Sequence, residues 1–266
     1  MTACKDAAGT IEATLESVAA QTCQDREHLI VDGASRDGTC ELVRAAADER
    51  VRLLSAPDSG VYEAFNRGVA EARGEWIAFL GSGDRYADPG VLARVAELAA
   101  RHPEVDLFHG DLDLVEGQRV VGRWRFQPAA GYERLAVRCI VAHPTVFARR
   151  GLFARVGPFD PGYRIAGDYE HLLRCWRAGA RFLHVPEVLV LMDAGGLSQR
   201  QQRLCGREVF RAARTHTGAW VGPTRQLLHH ELTTRLRRVT PGLLGRAQRL
   251  KRWLRGAPPD MVTWGP

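Results

Sequence analysis

Carboxylate residues that follow apolar runs give this sequence most of its visible chemistry. Asp32 ends the apolar run 28–32, and Asp84 follows the run 76–80 across a short Gly-Ser-Gly turn. Carboxylate oxygen is a preferred ligand of Mg²⁺ and Mn²⁺, and a carboxylate can also accept a hydrogen bond from a nucleobase. A third acid, Asp168, begins an amphipathic stretch, where it could serve as a general base. The three acids predict cation binding and proton transfer, provided that the fold brings them together.

Each of these acids also has a structural interpretation. Asp32 could cap the next helix or stabilise the turn that follows it, and Asp84 could simply belong to a tight turn. Asp168 could be an ordinary helix N-cap, with Glu170 in the first turn. The triplet Asp37-Gly38-Thr39 is typical of turn and capping chemistry, and we interpret it as structural.

Strand-like and helix-like patterns alternate over the first hundred residues. We predict, in order, helix 7–22, strand 28–32, helix 40–48, strand 51–55, helix 61–73 and strand 76–80. This order is typical of βαβ units, so the sequence predicts an α/β fold with a mainly parallel sheet. The carboxyl ends of parallel strands lie along one edge, where Asp32 and Asp84 would face a shared cleft.

The pattern is looser beyond residue 90. We predict helix 89–101, strand 105–110, a hairpin-like region to 125, strands around 141–148, helix 168–178, strand 181–185 and a separate short segment 188–193. From about residue 199 the pattern is helical and rich in arginine. We therefore divide the chain into an α/β domain over 1–198 and a helical basic C-terminal extension over 199–266.

The composition is that of an ordinary globular protein. The 266 residues are 45% hydrophobic and 26% charged, which excludes disorder, collagen and coiled coil as global interpretations. Apolar runs are too short for a membrane-spanning helix, and the first residues lack the apolar core of a signal peptide. We expect a cytoplasmic protein. The six cysteines form no C-x-x-C pair, so neither a disulfide framework nor a structural zinc site is indicated.

Seven segments, taken in order, resemble the landmarks of a known family. They are 6–11, 28–39, 57–68, 74–84, His143-Pro144-Thr145, Gly167-Asp168-Tyr169-Glu170 and Gly195-Gly196-Leu197-Ser198. Together they resemble the inverting glycosyltransferases of family 2, which have the GT-A fold, and within that family the bacterial colanic-acid-type branch. The resemblance covers about 1–198, which is more specific than any single motif.

The resemblance implies a GT-A-like, Rossmann-type mixed sheet, mainly parallel and flanked by helices. It implies inverting transfer of a hexose from a nucleotide-diphosphate sugar, with UDP as the expected nucleotide, to a hydroxyl group. The acceptor would be a saccharide, a lipid-linked carrier or a natural product. A divalent metal ion, Mn²⁺ or Mg²⁺, would neutralise the charge of the departing diphosphate.

The resemblance also implies roles for individual residues. Asp32 would read the base, Asp84 would bind the metal and the diphosphate, and Asp168 would deprotonate the acceptor. Further donor-binding residues would be the main chain at Ala3 and the side chains of Asp58, Tyr62, Asn66 and Ser82. The acceptor or phosphate region would include His143, Glu170 and Ser198, the last in a loop that closes over the donor.

Several of these assignments have bland alternatives. Tyr62 could pack in the core, and a lone histidine such as His143 is more often structural. Many relatives carry two adjacent acids where this chain has Gly83 followed by Asp84. Relatives also begin with a longer apolar first strand, so the strand at Ala3 is either very short or the start site is placed late.

The extension carries most of the positive charge. Between residues 200 and 255 there are 14 Lys and Arg against two acids, Glu208 and Glu231, within a net charge of +6 for the chain. This pattern fits an amphipathic segment, with Arg207, Arg211 and Arg214 on one helical face, on an anionic membrane surface, and it equally fits a solvated helical face packed on the catalytic domain. No nucleic-acid-binding motif accompanies it, so no nucleic acid is expected.

Two rival functions remain open at this point. A sugar nucleotidyltransferase would need a glycine-rich loop bearing Lys or Arg after the first strand, which Ala7-Ala8-Gly9-Thr10 does not supply. A non-catalytic protein that binds sugar nucleotides or a membrane surface is suggested by Gly83 and by the short first strand.

Overall fold

A computed structural model describes residues 1–46, 48–196, 201–218 and 262–264. Ser198 and most of the predicted extension, 219–261, lie outside the described residues. Within them the chain forms two sheets flanked by seven α-helices.

The first sheet contains three short parallel strands in the order β1-β2-β3. They are β1 (Thr2–Cys4), β2 (His28–Asp32) and β3 (Val51–Ser55), and the helices that follow them are α1 (Ile11–Ala19), α2 (Thr39–Ala45) and α3 (Val61–Glu71). Every residue of β2 is buried, as expected for the central strand of a parallel sheet covered on both faces. The predicted alternation of strand and helix is confirmed here.

The second sheet is mixed and is built around a long strand. Its strands are β4 (Trp76–Ala78), β5 (Arg85–Tyr86), β6 (Leu107–Glu116), β7 (Arg119–Trp124), β8 (Phe147–Arg149), β9 (Phe182–Asp193) and β10 (Val262–Trp264). Strand β6 pairs antiparallel with β7 and β8 along one edge and parallel with β9 along the other. Four further helices pack around it: α4 (Val91–Arg101), α5 (Arg150–Val156), α6 (Gly167–Arg177) and α7 (Gln202–Thr217).

Backbone hydrogen bonds at Met1 join the two sheets. The Met1 nitrogen donates to the Ala78 carbonyl at 2.7 Å, and Leu80 N–H donates to the Met1 carbonyl at 3.0 Å. Strand β1 is therefore very short but fully paired, with β2 on one side and the end of β4 on the other. The carboxyl ends of β1, β2, β3 and β4 thus lie along one continuous edge.

The structure differs from the predicted elements mainly in β9. Residues 181–185 and 188–193 were expected to be separate, because Pro186 cannot donate to a sheet. They form one strand, and its register with β6 shifts at Gly110 and Asp111, opposite Pro186. This irregularity absorbs the proline without ending the strand. Helix α1 is shorter than predicted, because residues 7–10 form a turn that closes on Ala7.

Candidate active site

A tight turn after β4 holds Asp84. Its N–H donates to the Gly81 carbonyl at 3.0 Å, and Gly81 N–H donates back to Asp84 Oδ2 at 3.2 Å. Gly83 has a φ of +96°, a left-handed conformation that glycine adopts without strain. From α1, the Thr14 hydroxyl donates to the Asp84 carbonyl at 2.9 Å and accepts Gly83 N–H at 2.9 Å. Neighbouring elements therefore fix the turn on both sides.

A second acid, Asp193, approaches the same turn from the end of β9. Its N–H donates to Asp84 Oδ1 at 3.0 Å. A Cβ built on Gly83 would lie 3.6 Å from Asp193 Cβ and 3.7 Å from its Oδ2. The exposed Asp193 carboxylate therefore occupies space beside the position where many relatives carry an additional acid.

The surroundings of Asp84 leave its charge poorly compensated. Burial raises the pKa of Asp84, the hydrogen bonds from Asp193 and Gly81 N–H lower it, and repulsion by Asp193 raises it, with a result of about 6. The side chain is only 8% exposed. A cation brought against this carboxylate would relieve both the desolvation and the repulsion.

Asp84 and Asp193 are the described residues best suited to hold a divalent metal ion. Within the part of the chain that the structure describes, no group of three or more His, Cys, Asp or Glu side chains is arranged to bind a metal. Mg²⁺ and Mn²⁺ sites beside a diphosphate need one or two carboxylates, because phosphate and water oxygens complete the coordination. The oxygen ligands present here fit that requirement. The sequence analysis missed Asp193, although it ends a strand as Asp32 does and stands before a Gly pair.

Asp32 is placed very differently. It is fully buried and accepts hydrogen bonds from Ser35 N–H at 3.0 Å, from the Ser35 hydroxyl, from the Ser55 hydroxyl at 2.7 Å and from Cys40 Sγ at 3.2 Å. Burial alone would raise the pKa of Asp32, but these donors outweigh it and lower the pKa to about 2. The carboxylate thus stabilises the turn after β2, the structural alternative given above. Direct contact with a base stays a prediction, and this burial disfavours it.

Three other predicted donor residues lie around the same strand ends. Asp58 lies over Gly33, where an added Cβ would come within 2.8 Å of Asp58 Oδ2, so a glycine is required immediately after Asp32. Ala3 is half-buried in β1 and packs against the cluster of Leu29 and Val31. Ser82 exchanges a hydrogen bond of 2.9 Å with the Thr10 hydroxyl.

Asp168 begins α6 and lies next to Tyr62. Its Oδ1 accepts Tyr169 N–H at 2.8 Å and faces the Tyr62 hydroxyl at 3.4 Å. The Tyr62 hydroxyl also donates to the Ile165 carbonyl at 2.6 Å, and its ring covers Gly167, where an added Cβ would come within 2.8 Å of the ring. Tyr62 is buried, so it positions the start of α6 from below.

The remaining predicted residues have mostly internal contacts. The Asn66 amide bonds to both backbone groups of Phe159 at 2.8 Å, and His143 is buried among Phe65, Phe79 and Phe159. Burial lowers the pKa of His143, and the charge of Asp168 partly offsets this. Their predicted roles in binding are untested, and these contacts favour a structural interpretation.

Glu170 does not face a cleft. It is 3% exposed and forms an internal ion pair with Arg174, at 2.7 Å, and a hydrogen bond of 2.6 Å with His216 of α7. Its predicted contact with an acceptor is disfavoured for this reason, because both partners neutralise the carboxylate inside the protein. The triplet Asp37-Gly38-Thr39 is structural, as interpreted: Asp37 accepts Ala8 N–H at 2.8 Å and Thr39 N–H at 3.1 Å.

Comparison with known proteins identifies the family. The profile described as "Glycosyl transferase family 2" matches residues 1–153. A protein of Mycobacterium bovis (strain BCG / Pasteur 1173P2), named "PGL/p-HBAD biosynthesis glycosyltransferase", is 36% identical over 197 residues, which are 72% of this chain and 75% of the relative. The chain belongs to glycosyltransferase family 2.

Solved structures agree on the fold of this family 2 glycosyltransferase. S. aureus TarS 1-349 in complex with UDP-GlcNAc gives a TM-score of 0.69 at 17% identity, covering 93% of this chain and 76% of that one. The chain spans 40% of a longer TarS chain. A mannosyltransferase from Pyrobaculum calidifontis, in complex with GDP-Man and Mn²⁺, gives 0.62 at 21% identity, covering 86% of this chain and 67% of that one. The GT-A-like fold is thereby confirmed.

Family membership decides between the functions left open by the sequence. The chain is a glycosyltransferase, so the nucleotidyltransferase and the non-catalytic binding protein are set aside. Asp32 and Asp84 lie inside the matched residues 1–153, whereas Asp168 and Asp193 lie beyond them. None of the described helices of this glycosyltransferase is both long and apolar enough to span a bilayer.

Proposed function

We propose that this glycosyltransferase transfers a hexose, with inversion, from a UDP-linked sugar to a hydroxyl of a saccharide, lipid-linked or natural-product acceptor. The observation that carries the proposal is the buried, under-compensated carboxylate of Asp84 with Asp193 beside it at the end of β9. Such a pair would hold a divalent ion against a diphosphate. The neighbouring structures with UDP-GlcNAc and with GDP-Man and Mn²⁺ support a nucleotide-sugar donor.

Asp84 and Asp193 would hold Mn²⁺ or Mg²⁺ through carboxylate oxygen. When bound, the ion neutralises the charge that develops on the diphosphate as the sugar departs. The turn fixed by Thr14 keeps Asp84 in place, while Ser82, bonded to Thr10, lies on the same turn and could donate to a phosphate oxygen. These residues form the donor half of the proposed site.

Asp168 is proposed as the general base. Its printed contacts, with Tyr169 N–H and the Tyr62 hydroxyl, both involve Oδ1, which leaves Oδ2 to accept the proton of the acceptor hydroxyl. Inversion in one step requires this proton to leave on the face opposite the departing diphosphate. The side chain is half-buried, so it can meet an acceptor and is still held by the start of α6.

The test compares Asp168→Asn with the wild type. Turnover should fall about 1,000-fold, because the amide cannot accept a proton, whereas the thermal shift produced by UDP with Mn²⁺ should be unchanged. Release of UDP from a panel of UDP-sugars measures the first quantity. Asp160→Asn, in the loop before α6, is the matched control and should turn over normally. Wild-type turnover by Asp168→Asn would remove Asp168 from this role.

We also propose a cytoplasmic location in which the basic residues of 199–266 meet an anionic membrane surface. One described residue argues for the alternative at its own position. Arg211 lies 3.7 Å over the Tyr163 ring and donates to the Gly162 carbonyl at 2.9 Å, so it packs on the catalytic domain. Sedimentation with vesicles containing phosphatidylglycerol, against neutral vesicles, tests the membrane contact.

A further inference from the structure

Helix α7 sends one buried carboxylate towards the start of α6. Glu208 is 6% exposed, and its two oxygens accept three consecutive backbone N–H groups. Arg164 N–H donates to Oε1 at 2.9 Å, and Ile165 and Ala166 N–H donate to Oε2 at 2.8 and 2.9 Å. The segment held in this way ends directly before α6, the helix that begins at Gly167.

This arrangement is specific to an ionised carboxylate. A buried carboxylate is costly unless several donors compensate its charge, and three N–H groups do so here. The residue that precedes α6 is Ala166, which has no side-chain oxygen with which to cap the helix. Glu208 supplies the missing acceptor from 42 residues away in sequence. It is also one of only two acids among the 14 basic residues between 200 and 255.

The same backbone segment is held from the opposite side by Tyr62. The Tyr62 hydroxyl donates to the Ile165 carbonyl at 2.6 Å, while Glu208 accepts the Ile165 N–H. One peptide unit is therefore bound by α3 on one side and by α7 on the other. Asp168 lies three residues further on, at the second position of α6, so the geometry of this unit sets the position of its carboxylate.

We propose that Glu208 is a positioning residue for Asp168, through the backbone of 164–166. The inference rests on the proposed role of Asp168 as general base. It makes α7, which lies beyond the residues matched by the family profile, part of the reaction machinery. A base displaced by about 1 Å from its acceptor can lose about 100-fold in rate, although nothing touching the donor has changed.

The experiment compares Glu208→Gln with His216→Ala in the full chain. Gln keeps the shape of Glu, but it replaces one oxygen and the negative charge. His216 lies on the same face of α7 and bonds to Glu170, so its removal weakens the contact between α6 and α7 without touching 164–166. Three quantities are measured: UDP release from a panel of UDP-sugars, the thermal shift with UDP and Mn²⁺, and hydrogen exchange of the 164–166 amides.

We expect Glu208→Gln to lower kcat about 30- to 100-fold, to leave the KM for the donor and the UDP shift unchanged, and to accelerate exchange at 164–166. His216→Ala should lose stability with kcat near the wild-type value. Glu208→Asp, which keeps the charge but is one methylene shorter, should recover part of kcat.

Two results would overturn the proposal. One is a wild-type kcat for folded Glu208→Gln; the other is a loss of kcat in His216→Ala equal to that in Glu208→Gln, which would indicate a general effect of stability. Failure of the proposed function is distinct: Asp168→Asn would then release UDP as fast as the wild type. If the wild type releases no UDP from any donor in the panel, exchange at 164–166 alone decides the role of Glu208.

Discussion

Asp32 and Asp84 follow strands of the same edge, yet they meet opposite conditions. Four donors surround Asp32, and its pKa falls to about 2 although the side chain is fully buried. Asp84 is almost as buried, but it has two backbone donors and a neighbouring acid, and its pKa rises to about 6. Burial alone therefore does not indicate what a carboxylate does; the number of donors decides whether its charge is already compensated.

The difference separates a structural acid from one that can gain from a cation. The charge of Asp32 holds the turn after β2 together and has little left to offer a ligand. At Asp84 a divalent ion would supply the compensation that the protein omits. The sequence motifs alone gave both acids a role in donor binding.

The largest effect should separate the two acids in turnover. Asp84→Asn should lower kcat/KM for metal-dependent UDP release about 1,000-fold, or about 4 kcal/mol, because the ion loses its main ligand. Asp32→Asn should lower it less than about tenfold, since its proposed contribution is to the turn. Equal losses would return Asp32 to the role of base reader, and an active Asp84→Asn would remove the metal from Asp84.

The stability of the metal-free protein should change in opposite directions. The pKa of Asp84 is raised from 3.8 to about 6, so ionised Asp84 lowers the free energy of unfolding by about 3 kcal/mol above pH 6. That cost is absent below pH 4 and develops as the pH rises through 6. Asp84→Asn should therefore stabilise the protein by about 2 kcal/mol at pH 8, after the loss of one backbone hydrogen bond.

For Asp32 the sign is reversed. Its pKa is lowered from 3.8 to about 2, so the ionised form contributes about 2 kcal/mol to stability above pH 4, which is lost as the pH falls through 2. Asp32→Asn should cost about this amount at pH 8. Urea unfolding of both variants at pH 8 and pH 4 measures the pair. Destabilisation by both substitutions at pH 8 would contradict the contrast.

The smallest effect concerns Asp193 and the pH dependence of metal binding. Protons compete with Mn²⁺ for Asp84, so Mn²⁺ affinity in the presence of UDP should fall about tenfold between pH 8 and pH 5, with a midpoint near 6. Asp193→Asn should weaken binding a few-fold at pH 8, and the midpoint should move lower, because repulsion on Asp84 is removed. Titration of Mn²⁺ followed by electron paramagnetic resonance measures both. An unchanged midpoint would show that Asp193 does not act on Asp84.

Local patterns predicted the elements of the first sheet and the acids that begin or follow them. The run ending at Asp32 and the start of α6 at Asp168 depend on neighbouring residues, so periodicity and capping rules reach them. Asp193 and Glu208 were missed because their partners, Asp84 and the amides of 164–166, are distant in sequence. The same limit hid β9, since its continuity past Pro186 depends on the register with β6.

Strand β6 has a consequence for the synthesis of the chain. It pairs with β7 at once, but the edge that receives β9 stays open until Asp193 has been added. At about 5–20 residues per second, this interval is roughly 4–15 s, during which an unpaired edge could recruit other nascent chains. His109, Asp111 and Asp113 interrupt the apolar character of that edge. We expect these polar residues, which become buried in the finished sheet, to protect the growing chain from aggregation.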